Sequence, residues 1–297
     1  MRVHPPHPAL RATFSHEGRR EGGQPKARYA TSFRRIQVGH LPFSPRGRRW
    51  IGRRPRRMRG IFALAVALLA LPAQAETLNA AVAANFTAVA EELAALFGQE
   101  TGNEAVLSFG STGQLYAQIS QGAPFDVFLA ADDERPGIAI GKGLAVEGTD
   151  FTYAVGRLVL YSPSLDITAG EAALSGDFDK LAIADPHAAP YGAAALETLE
   201  ALDLYEAIQP KLVTGENISQ TLQFVESGNA ELGFVAASQV IGKAYQWEVP
   251  AELYSPIRQD AVLLTHGQEN AAARAFLDFL RSPEALAIIE AAGYSVP

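Results

Sequence analysis

No cysteine occurs among the 297 residues. This excludes disulfides, thiolate metal sites, cysteine nucleophiles and a lipid anchor carried on cysteine. Positive charge is scarce after residue 59. From Glu76 onward nine Lys+Arg stand against 30 Asp+Glu, a net of −21. So acidic a surface argues against nucleic acid as a partner. Histidine is limited there to His187 and His266. Catalytic signatures are missing too: there is no G-x-S-x-G, no H-E-x-x-H and no Walker loop. The Gly110–Gly113 turn is too short for one and lacks its lysine.

The positive charge sits at the other end. Residues 1–57 carry 15 Lys+Arg and two acids, with runs such as Arg53-Arg54-Pro55-Arg56-Arg57 and no apolar periodicity. That composition cannot bury a core and reads as disorder or a mis-called start. Residues 58–75 have the layout of a secretory signal: Met58-Arg59, an eleven-residue apolar run from Ile61 to Leu71, then Ala73-Gln74-Ala75. Eleven residues are too few to span a bilayer, which needs about 20. Cleavage is expected after Ala75, with Met58 as the initiator; the alternative is an extended leader for twin-arginine export. Either route leads to the periplasm.

Residues 76–297 alternate short apolar strands with amphipathic helices, an α/β pattern. Strands are expected at Leu78–Ala83, Ala105–Phe109 and Val127–Ala130, then at Leu181–Ala184, Lys211–Val213 and Leu232–Ala236. Helices fill the gaps: Val89, Leu93, Leu96 and Phe97, for example, recur at spacings of three and four. Phe151–Tyr161 and Ile257–Leu264 are β-rich and placed to cross between two halves. Two α/β lobes joined by a β hinge are therefore expected, lobe I from 76–155 plus 258–297 and lobe II from 156–257.

Four loops share one layout, in which a strand ends, a small or polar residue follows and a helix starts. They contain Asn85, Ser111-Thr112-Gly113, Pro190-Tyr191-Gly192 and Asn217-Ile218-Ser219. Free N–H groups and the positive dipole end make each helix start an anion site. Taken singly, each polar residue could be only an N-cap. Together, two from each half, they could surround one anion.

The chain from Glu76 resembles the periplasmic molybdate-binding proteins of the molybdenum ABC importer. The resemblance rests on AAVAANF (Ala80–Phe86), SFGSTGQL (Ser108–Leu115), GAPFDVFLAAD (Gly122–Asp132), DPHAAPYG (Asp185–Gly192), AELGFVA (Ala230–Ala236) and the Ala291–Pro297 tail. It implies a two-lobed periplasmic-binding-protein fold of type II-like topology. It also implies a monomeric receptor rather than an enzyme, with no cofactor, and with permease and ATPase subunits as partners. Its ligand would be molybdate or the closely similar tungstate. Carried over by motif, Asn85 and Thr112 would donate side-chain and backbone bonds, and Tyr191 and Ile218 backbone N–H groups. The metal would be held only as its oxyanion, with no side-chain coordination. Many members have a tyrosine ligand where Ala236 stands; here the Asn85 amide could replace that donor.

A fully deprotonated oxyanion accepts hydrogen bonds only, so N–H and O–H groups suit it and a carboxylate does not. Glu216 must therefore point away. Rival readings are another oxyanion such as sulfate, a membrane-receptor-docking sensor, or a periplasmic enzyme with Asp185 and His187 as acid and base. Asp132-Asp133-Glu134 reads as a solvated helix start rather than a cation site, and Asp126 as a loop brace.

Overall fold

The computed structural model describes residues 75–297. The expected basic leader (1–57) and nearly all of the expected signal sequence (58–75) lie outside the described residues. Among the described residues ten strands and eight α-helices form two similar units. The first sheet uses β1 (Thr77–Ala83), β2 (Glu104–Gly110), β3 (Val127–Leu129) and β4 (Phe151–Gly156), together with the late strand β10 (Ile257–Leu263). The second uses β5 (Leu158–Tyr161), β6 (Leu181–Ala184), β7 (Leu212–Gly215), β8 (Leu232–Ala236) and β9 (Gln246–Glu248).

The sheets repeat one plan. The first runs β2-β1-β3-β10-β4 and the second β7-β6-β8-β5-β9. In each, three parallel strands are followed by one reversed strand, β10 or β5, and then by β4 or β9 paired antiparallel to it. Parallel neighbours require a crossover, which the helices supply: α1 (Thr87–Thr101), α2 (Thr112–Ser120) and α3 (Glu134–Gly141) in the first lobe, α4 (Pro190–Ala201), α5 (Tyr205–Ile208) and α6 (Ile218–Glu226) in the second. Both faces of each sheet are covered. This is why β3, Val127-Phe128-Leu129, is apolar throughout and fully buried.

The chain passes from one sheet to the other at Arg157, the single residue between β4 and β5, and returns before β10. The last helices, α7 (Ala271–Phe279) and α8 (Pro283–Ala291), belong to the first lobe. Phe276 and Ile289 are buried with Leu78, Val82 and Phe97, and Phe97 meets Phe276 edge-on at 5.2 Å. β10 bulges between Gln259 and Asp260. A bulge re-aims side chains, and here Gln259 is fully buried between the lobes. Two elements escape the sequence pattern. β9 is a three-residue edge strand with no apolar alternation, and α5 is a single turn; neither is long enough to show a period. Among the described residues no helix is long and apolar enough to cross a membrane.

Candidate functional site

The four loops meet. One small cavity is lined by Ala83, Ala84, Asn85, Gly110, Ser111, Thr112 and Ala131 from the first lobe and by Ala189, Pro190, Tyr191, Asn217 and Ile218 from the second. The loops follow β1, β2, β6 and β7, so the cavity lies at the carboxyl ends of parallel strands, where open α/β sheets place ligands. It offers about 10 Å³ of room for the centre of a water-sized guest, far below the several hundred Å³ of an organic-ligand pocket.

Local sequence decides which donors remain free. At α6, Asn217 caps the helix and its Oδ1 accepts from Ser219 N and Gln220 N, each at 3.0 Å. The Ile218 N–H, one residue earlier, is not used by this cap. At α4, Pro190 occupies the first position and has no N–H. Gly192 N and Ala193 N bond to Ala189 O, while the Tyr191 N–H precedes any intrahelical acceptor. At α2, Thr112 Oγ1 accepts the Ala131 N–H at 3.0 Å. That fixes the hydroxyl and leaves its hydrogen to donate elsewhere. Three helix N-termini thus present N–H groups and positive dipole ends to one space.

Asn85 departs from expectation. Its amide donates both hydrogens away from the cavity, to Gln259 Oε1 at 2.8 Å and Tyr294 Oη at 3.0 Å. No side-chain N–H is left to replace a missing tyrosine donor, so Asn85 can offer an anion only its backbone N–H. The competing acceptors are Gln259, aimed inward by the bulge, and Tyr294 from the C-terminal tail; nothing near Asn85 in sequence signals either. The same network takes in Tyr153, whose Oη donates to Ala130 O at 3.0 Å, and Tyr191, whose Oη accepts from Gln259 Nε2 at 3.2 Å. Burial pushes the phenols of Tyr153 and Tyr191 well above their ordinary value and that of Tyr294 to about 12. These rings stay neutral and serve as fixed hydrogen-bonding groups.

The lobes are drawn together around the cavity. Gly113 N donates to Ala188 O at 2.8 Å, Arg135 Nη2 to His187 O at 2.9 Å and Ser219 Oγ to Ala84 O at 3.0 Å. Arg135 is itself held by Asp132. Burial raises the Asp132 carboxyl pKa, and Arg135 opposes the rise. No lysine, arginine or carboxylate lines the cavity; Glu216 is exposed. Asp185 accepts the backbone N–H of His187 at 2.9 Å, a turn contact rather than an acid–base pair. Asp126 braces loops, accepting Asn79 N at 2.7 Å and facing His266 Nδ1 at 2.8 Å. Sequence reasoning did not single out Ser111, which is buried beside Thr112.

A two-lobed α/β body whose helix starts converge on a small cavity at the lobe junction has the architecture of a solute-binding protein. The family model described as "Bacterial extracellular solute-binding protein" matches residues 78–295. The chain is 56% identical over 239 residues to the molybdate-binding protein ModA of Rhodobacter capsulatus, covering 79% of this chain and 95% of that one. It is 50% identical over 243 residues to ModA of Azotobacter vinelandii, covering 80% and 96%. The solved structure of an Azotobacter vinelandii periplasmic molybdate-binding protein superposes with a TM-score of 0.71 at 39% identity, covering 74% of this chain and 99% of that one. The chain belongs to the family of bacterial extracellular solute-binding proteins, alongside these molybdate-binding members. The family is one of binding proteins, not enzymes.

Proposed function

We propose that the protein captures molybdate in the periplasm and passes it to the permease and ATPase subunits of an ABC importer. The observation that carries this reading is the cavity's chemistry: it is small, it sits where helix starts of both lobes bring free N–H and O–H donors, and no carboxylate lines it. A molybdate dianion carries no proton and matches such a set. Asn85, Thr112, Tyr191 and Ile218 are the proposed ligand residues, with Asn85 acting through its backbone. The relatives named above, over half identical in one case, support the choice of molybdate among oxyanions.

Each hydrogen bond to a charged oxygen contributes about 1.5–3 kcal/mol. Several together, less the cost of ordering the lobes, give micromolar to nanomolar affinity. Size rather than charge separates the candidate ions: fixed donors reach the oxygens of smaller sulfate poorly, while tungstate nearly matches molybdate and should bind as well. The anion is cargo, held without side-chain coordination to the metal and without a resident cofactor, by a monomer.

The test is calorimetric titration of the purified, ligand-stripped protein with molybdate, tungstate, sulfate and phosphate. Tight one-to-one binding of the first two, with the others silent, is expected. Silence from molybdate would overturn the assignment.

A further inference from the structure

Ser111 and Ser282 are a matched pair. Each is the N-cap of a nine-residue helix, with nearly the same backbone: φ −69°, ψ 149° at Ser111 and φ −69°, ψ 152° at Ser282. Ser282 does what a capping serine does, and its Oγ accepts Ala285 N at 3.1 Å. Ser111 makes no such bond to α2. Its side chain has the same opportunity and does not use it. The residue is only 3% exposed, and its Oγ is sealed from solvent with no hydrogen-bond partner. Buried hydroxyls nearly always have one. Ser111 also lines the small cavity at the lobe junction.

We infer that Ser111 Oγ is a direct donor to the bound oxyanion, a second hydroxyl beside Thr112. The inference rests on reading the cavity as an oxyanion site. A hydroxyl hydrogen rotates freely about the Cβ–Oγ bond, so Ser111 can follow an oxygen that rigid backbone N–H groups meet less well. Its partner lies outside the protein: the hydrogen bond forgone at the helix start is made to the ligand instead. Thr112 differs, because the Ala131 N–H already orients its oxygen.

The experiment compares wild type, Ser111→Ala and Ser282→Ala in two measurements: titration with molybdate, and thermal melting of the ligand-free protein. Ser111→Ala is expected to weaken molybdate binding about 10- to 100-fold, the worth of one hydrogen bond to a charged group. It should leave the ligand-free melting temperature unchanged or raise it, since it removes an unpaired buried hydroxyl. Ser282→Ala should do the reverse, lowering the melting temperature and sparing affinity. Wild-type affinity in Ser111→Ala would overturn the inference while leaving the proposed function standing. So would a fall in its ligand-free melting temperature as large as that of Ser282→Ala, which would mark Ser111 as an ordinary cap. A wild-type protein that binds none of the oxyanions would overturn both readings.

Discussion

Gly113 packs directly against the backbone of the opposite lobe, and adding one methyl group there measures closure directly. A Cβ at this position would lie 3.0 Å from Ala188 Cα and 3.1 Å from Ala188 O, both backbone atoms of the opposite lobe, and 3.3 Å from Arg135 Nη2. Ordinary carbon contacts begin near 3.5 Å, so the lobes must part by roughly half an ångström or more at this edge. Overpacking of this kind costs about 1–3 kcal/mol, or about 5- to 150-fold in affinity. The backbone clash with Ala188 falls on the closed form, and the Arg135 guanidinium, the far end of a flexible side chain in the first lobe, can move aside. Within the first lobe Gly113 is an ordinary helical residue of α2, where alanine is favoured over glycine by up to about 1 kcal/mol. Gly113→Ala should therefore weaken molybdate binding while leaving the stability of the ligand-free protein equal or higher. Calorimetry gives the first quantity, denaturant unfolding of the ligand-free protein the second, and X-ray scattering with and without ligand reports whether compaction is incomplete. Wild-type affinity together with full compaction would refute the reasoning, because the bound lobes could not then approach as closely as the Gly113–Ala188 bond requires.

Thr112→Ala should weaken binding by about 1–3 kcal/mol, measured by titration, and Thr112→Ser should recover most of the loss because it restores the hydroxyl. Asn85→Asp exchanges two donated hydrogens for a carboxylate facing Gln259 Oε1 and Tyr294 Oη; binding should fall more than 100-fold and the ligand-free protein should melt earlier, and retained binding would show that the network does not constrain this loop. Tyr294, held near pKa 12 by burial against an ordinary 10.0, stays protonated in the folded protein after the unfolded chain has released its proton. Stability should therefore be complete below pH 10 and fall as pH rises from about 10 to 12. Denaturant titrations across that range should show a shallower fall in Tyr294→Phe.

The parts of this molecule legible in the sequence are those set by neighbours along the chain. Strands such as Leu181–Ala184 and Leu232–Ala236 are short apolar runs between turn residues, and they form over those same limits. The loops that line the cavity were legible for the same reason, as strand ends that lead into helix starts; Tyr191 and Ile218 within them came from the family resemblance, and in the structure Pro190 lacks an N–H while Asn217 takes those of Ser219 and Gln220. What stayed hidden depends on residues far apart in the chain. Asn85 bonds to Gln259 and Tyr294, 174 and 209 positions away, and no local pattern distinguishes an asparagine that reaches for a ligand from one that ties its loop to distant parts of its own lobe. Ser111 fails in the opposite direction. As a serine at a helix start it has a sufficient local explanation, and only the unmade bond to its own helix reveals another use.

That contrast bears on how affinity is built. The backbone donors are held by helix starts inside single lobes and exist whether or not the lobes meet. The Asn85 amide, Gln259, Tyr191 and Tyr294 join both lobes, and a cavity only a few atoms wide exists only when that junction is closed. Gly156 marks how tightly it is filled: a Cβ there would fall 2.1 Å from Tyr191 Oη and 2.7 Å from Gln259 Nε2. An anion that satisfies the donors of both lobes at once stabilises the closed arrangement by its differential contacts. One too small to reach both sets leaves closure without that support, so size selectivity and closure are the same free energy seen from two sides.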